Sequence, residues 1–166
     1  MAAAAFSAQA QSADDAAPTH WRFGFQFGAA QDHGKSEPTG QISLAYDLDR
    51  TWSVEALANI SLIFVRDGDL QAGDREFDSA VGARVLGTLP LGDRWSLVGG
   101  LGVVQVESDI GNNLIYAGNE HEYKTSALVS AAAMYRLGRR WSIGVEAASY
   151  PQAHAFNTAL RAEFHF

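Results

Sequence analysis

The sequence contains no cysteine, which removes disulfide frameworks, thiolate metal centres and cysteine nucleophiles together. Hydrophobic residues make up 47% of the chain, yet they never gather into a run of about 18, so a membrane-spanning helix is excluded. Only four prolines stand against 16 glycines, a balance that suits strands joined by tight turns. Cations are scarce as well. Twelve Lys and Arg against 19 Asp and Glu leave a formal charge of −7, the wrong sign for gripping phosphate, and no nucleic-acid partner is expected. The histidines (His20, His33, His121, His154 and His165) have no paired ligand spacing, and no Gly-rich loop opens a helix. No metal and no cofactor is therefore expected.

What the chain does have is alternation. In HWRFGFQFGAAQ (20–31), Trp21, Phe23, Phe25 and Phe27 share one face; Arg22, Gly24, Gln26 and Gly28 share the other. Period two is the signature of a β-strand. A row of aromatics left in water would invite aggregation, so this face must meet a core or lipid. Seven more stretches alternate, at 39–48, 51–65, 76–89, 94–106, 122–136, 140–149 and 155–166. The one at 94–106 is the least regular, because Val98 and Val104 fall on its Ser/Gly face.

A turn motif recurs. Asp47-Leu48-Asp49-Arg50 leads to Trp52-Ser53, Pro90-Leu91-Gly92-Asp93-Arg94 to Trp95-Ser96, and Arg136-Leu137-Gly138-Arg139-Arg140 to Trp141-Ser142. The Trp spacings of 43 and 46 residues also fit propeller blades, but a blade holds four strands and each interval here holds two. Three short turns thus lie on one side of a meander, and longer connections near 32–38, 66–75, 107–121 and 149–154 on the other. The expected fold is all-β: an eight-stranded antiparallel up-and-down transmembrane β-barrel over residues 20–166. Residues 1–19 read either as a residual signal peptide, with Ala8-Gln9-Ala10 as the cleavage region, or as a disordered leader.

Alternation alone leaves open which face points outward. A soluble lipocalin-like barrel would line a ligand cavity with its apolar face. Two features of the composition favour lipid outside. The polar face is mostly Gly, Ser and Ala, interspersed with Arg22, Glu55, Arg84, Glu146, Arg161 and Glu163, three charges of each sign, which suits a narrow interior network. Tyr46, Trp52, Trp95, Tyr135 and Trp141 stand at the short-turn ends of strands, where an interfacial aromatic girdle belongs.

The final strand AFNTALRAEFHF, with Phe164 and Phe166 two apart at its end, resembles the assembly signal of bacterial outer-membrane barrels. The segments YDLDRTWSVEA and YRLGRRWSIGVEA are similar to hairpins of the small eight-stranded group: the OmpA transmembrane domain, OmpX-like proteins and the outer membrane protein β-barrel domain. The resemblance covers residues 20–166 and implies a monomer in the outer membrane of a Gram-negative bacterium. Its implied partners are membrane lipid, lipopolysaccharide and, during insertion, the barrel-assembly machinery. It implies a structural or loop-mediated surface role rather than a general porin or an enzyme, since eight strands leave a lumen that side chains fill.

Two stretches carry residue types suited to other chemistries. The stretch SIGVEAASYPQAHA resembles the lipid A deacylases, which carry a catalytic His beside a nucleophilic Ser; here Ser149 has no adjacent His, and His154 lies five residues on. In the loop DGDLQAGDRE, Asp67, Asp69, Asp74 and Glu76 have oxygen ligands suited to calcium but no EF-hand spacing.

Overall fold

The computed structural model describes residues 20–32, 35–62, 75–110 and 120–166. The residues expected to form a leader (1–19) and Asp67, Asp69 and Asp74 of the acidic loop lie outside them. The described strands are β1 (Trp21–Asp32), β2 (Lys35–Asp47), β3 (Trp52–Ser61), β4 (Arg75–Pro90), β5 (Trp95–Ile110), β6 (Glu120–Arg136), β7 (Trp141–Tyr150) and β8 (Ala155–His165). Each pairs antiparallel with its neighbour in sequence, and β1 pairs with β8 to close the barrel. Closure leaves no sheet edge, so ladder groups facing hydrocarbon are paired, the condition for a sheet to cross a bilayer.

The barrel is apolar outside and polar inside. Along β1, Trp21, Phe23, Phe25 and Phe27 are exposed while Arg22 and Gln26 are buried. The contrast holds around the wall: Leu160 is 67% and Leu101 67% exposed, against 3% for Arg84 and 5% for Glu146. A soluble ligand carrier would need the reverse, so the lipocalin-like alternative does not describe this chain.

The recurrent motif is one turn used three times. The amide of Leu48 donates to the Trp52 carbonyl (2.9 Å), Leu91 to Trp95 (2.8 Å) and Leu137 to Trp141 (3.0 Å). In the second turn the residue after Leu is Gly92, with φ +137°, a backbone shape that favours glycine. The first turn has Asp49 there instead, and its carboxylate accepts from the amides of Thr51 (2.7 Å) and Trp52 (2.8 Å). Those two donors hold the Asp49 carboxyl below its ordinary range.

Three boundaries differ from the alternation reading. Residues 35–38 extend β2 instead of forming a loop, so β1 and β2 approach within two residues and that connection is short. β5 runs on through 107–110, and β6 begins at Glu120. These extensions carry polar residues on both faces, so they lack the periodic signal. Cross-strand bonds hold them instead: Ser79 donates to Glu107 (3.1 Å), and the Tyr123 hydroxyl donates to Glu107 (2.7 Å). Pro38 lies at the end of the β2–β3 ladder, where its carbonyl still accepts from the amide of Leu62 (2.8 Å), and a strand tolerates proline best at such an end.

Candidate functional site

The interior is built in three tiers. At the short-turn end, Arg22 of β1 donates to Asp47 (2.9 Å), Ser53 (2.7 Å) and Glu163 (3.1 Å). His165 Nε2 meets the Ser142 hydroxyl at 3.0 Å. Across the lumen, Leu86, Val98, Ala132 and Met134 pack as an apolar cluster.

The middle tier is a closed ring of four charges. Glu55 and Arg84 are register partners on β3 and β4, so the sheet itself places them side by side. Arg84 donates to Glu55 (2.5 Å) and to both oxygens of Glu146 (2.5 and 3.1 Å). Arg161 donates to Glu55 (2.6 Å), to Glu146 and to Glu163 (2.8 Å). Ser130 and Gln26 complete the shell, Ser130 accepting from Arg84 (2.7 Å) and Gln26 donating to Glu146 (3.1 Å). Each arginine thus touches each of Glu55 and Glu146, and all four side chains are buried. Buried charges of this kind are tolerated only with matched partners and satisfied hydrogen bonds. Arg84 has room to cross because β5 presents Gly100 toward it: a Cβ there would come within 2.9 Å of Leu86 and 3.2 Å of the Arg84 side chain.

The upper tier is half apolar and half polar. Leu57, Val104, Val106 and Leu128 pack with Tyr150, which is 1% exposed. The Tyr150 hydroxyl faces Asn59 and Asn157, and Thr39 donates to Asn157 at 3.4 Å.

All six charges named from the sequence therefore lie inside and meet one another. The count of three against three needs correction: Asp47, read as a turn residue, is a further acid on Arg22. Tyr150 falls in the final loop by alternation alone, whereas it ends β7 and fills the lumen; a 3-10 turn, Pro151–Ala153, follows it. Val98 and Val104 looked like blemishes in a polar face and are instead interior packing.

On the outside, Trp52, Trp95 and Trp141 are exposed at the short-turn end, with Tyr46 and Tyr135 beside them. Trp95 packs on Tyr135 with ring centroids 5.0 Å apart. Trp21 was not among the residues named for this belt, yet it stacks edge-on against Tyr46 at 4.9 Å. Its position at the start of a strand, level with Tyr46 across the ladder, was the available signal. Phe164 joins the same belt, 5.0 Å from Trp141 and 5.2 Å from Phe166.

The deacylase-like pair is not arranged as a lumenal site. Ser149 lies across the ladder from Val129 and Phe156, both of which point outward. His154 caps the turn after β7 in a left-handed conformation (φ 56°).

A sequence model of the outer membrane protein beta-barrel domain matches residues 1–163. The chain belongs to that family. It is a β-barrel of the Gram-negative outer membrane. Among solved structures, it is similar to Ail, the attachment invasion locus protein of Yersinia pestis, solved with the heparin analogue sucrose octasulfate: 18% identity, TM-score 0.59, covering 88% of this chain and 96% of that one. Neisserial surface protein A is similar at 9% identity and TM-score 0.58, covering 88% and 96%. The N-terminal barrel of Pseudomonas aeruginosa OprF is similar at 10% identity and TM-score 0.59, covering 87% and 97%. At such identities these structures speak for the fold. No curated protein sequence matches the chain.

Proposed function

We propose that this outer-membrane barrel is a monomeric scaffold that anchors surface loops and supports the envelope, and that it is neither a general porin nor an enzyme. The observation that carries this reading is the ring of Arg84, Glu55, Arg161 and Glu146 across the lumen. Eight strands leave space for side chains and little more. Here that space holds charged tiers below and Leu57, Val104, Leu128 and Tyr150 above.

Lipid contacts the belt and the apolar wall, lipopolysaccharide the end of the wall away from the short turns, Phe164 and Phe166 serve the assembly machinery, and residues 1–19 are a leader to the barrel at 20–166. The loops are the recognition surface. Ail was solved with a sulfated heparin analogue; the loop sequence DGDLQAGDR here is acidic, so a polyanion is not its matching ligand.

In planar bilayers the purified barrel is expected to give no steady porin-type conductance, and vesicles containing it should not swell in sugar solutions. Sustained open-pore conductance in the wild-type barrel would overturn this reading.

A further inference from the structure

The outer wall of the barrel is not uniformly bulky. On five successive strands the residues along one hydrogen-bonded row, which the strand tilt carries obliquely away from the short turns, are small and outward: Gly99, Ala131, Ala147, Thr158 and Ala29 are consecutive register partners from β5 round to β1. Large side chains, among them Phe27, Leu97, Val145 and Leu160, wall the depression this leaves, a groove of about 870 Å³. A second hollow, lined by Trp95, Tyr135, Ile143 and Val145, continues it toward the short turns. Gly99 and Trp95 are four residues apart on one strand, so the floor extends about 13 Å from the belt.

A second observation lies at the mouth of this groove. The two short turns there carry Arg94, Arg136, Arg139 and Arg140, all exposed, against the single acid Asp93. That concentrates four of the chain's 12 cations at one spot on a protein of net charge −7. Arg94 is already held at the belt, donating to the Tyr135 hydroxyl at 3.1 Å. Across the barrel, the turn before Trp52 balances Arg50 with Asp49.

We infer that this face binds an anionic glycerophospholipid of the leaflet at the short-turn side, one acyl chain in the groove and the phosphate on the arginine cluster. Hydrocarbon fits a groove with almost no polar lining. Arginine forks match phosphate oxygens, and basic side chains at a membrane surface each favour anionic lipid substantially. A zwitterionic lipid would satisfy the groove but not the cluster. A second barrel packed there would bring four more arginines against these four.

The test uses brominated phosphatidylglycerol in phosphatidylcholine vesicles as a tryptophan quencher. Two single-tryptophan barrels are compared, one keeping Trp95 and the other Trp52, with the remaining tryptophans changed to Phe. At Trp95 we expect at least about fivefold preference for the anionic lipid over brominated phosphatidylcholine, what one well-placed arginine supplies; at Trp52, about none. Changing Arg94, Arg136, Arg139 and Arg140 together to Gln should abolish the preference, and the four Lys replacements should retain most of it. Filling the groove with Ala131→Leu and Ala147→Leu should reduce it several-fold while heat-modifiable migration shows the barrel still folded. Equal preference at both tryptophans would overturn the inference, as would its survival in the Gln variant or in the filled groove. Cross-linking of two barrels through this face in vesicles would also overturn it.

Discussion

Replacing Arg161 with methionine destabilises the barrel by about 3–5 kcal/mol in reversible urea unfolding from lipid vesicles, the cost of stranding buried charge. Arg161 is the side chain that meets three carboxylates, Glu55, Glu146 and Glu163. Without it, Arg84 and Arg22 must serve those three and Asp47 as well. The excess negative charge sits in a closed lumen, where water cannot solvate it as bulk solvent would. The effect comes from imbalance rather than from the worth of any one ion pair. Hence Arg161→Met combined with Glu55→Met should be more stable than Arg161→Met alone, because Arg84 with Glu146 and Arg22 with Glu163 remain as matched pairs. A double variant whose loss is the simple sum of the two singles would refute the coupled ring.

The second large effect lies on the other side of the wall. Leu160 is 67% exposed and stands across the ladder from Phe27 on β1 and Val145 on β7, both outward. On a soluble protein an exposed leucine tolerates arginine within about 0.5 kcal/mol. On this barrel Leu160→Arg should cost about 2–4 kcal/mol, because the guanidinium enters hydrocarbon near the middle of the apolar wall. Leu137 is similarly exposed (57%) but belongs to a short turn. There the same substitution should cost at most about 1 kcal/mol. Vesicle unfolding curves of the two variants measure the difference, and equal losses would mean that depth in the membrane is not what separates these sites.

The sequence disclosed the parts of this architecture that rest on strict periodicity. Phe23, Phe25 and Phe27 on one face, with Arg22 and Gln26 on the other, need only a period of two to be sorted. The same sorting put Arg84, Glu146 and Arg161 on a common side. Their pairing was not legible, because contact across the lumen depends on register between strands far apart in the chain. Glu146 and Arg84 are 62 positions apart and meet only once the barrel closes.

Asp47 was missed for a related reason: a carboxylate next to a turn looks solvated until Arg22 is placed beside it. The interior apolar residues were hidden differently. Leu57, Leu86, Val104 and Leu128 occupy the face that otherwise carries Ser, Gly and charge, and on a strand apolar on both faces the alternation fades. The extensions 35–38 and 107–110 escaped because the outside of a barrel above the hydrocarbon need not be apolar, so no pattern marked them. Pairing with the neighbouring strand, not composition, holds them in the sheet.

Hydrocarbon lies against the apolar wall of this barrel, and the absence of cysteine makes that directly measurable. A single nitroxide label can be placed at Val85, Leu101, Val129, Val145 or Leu160, all exposed and one on each strand from β4 to β8. In bilayers, the collision rate with oxygen should be high and that with a water-soluble nickel chelate low at all five positions. Ready access of the chelate to these labels in the folded, membrane-bound protein would contradict the claim that this wall faces lipid.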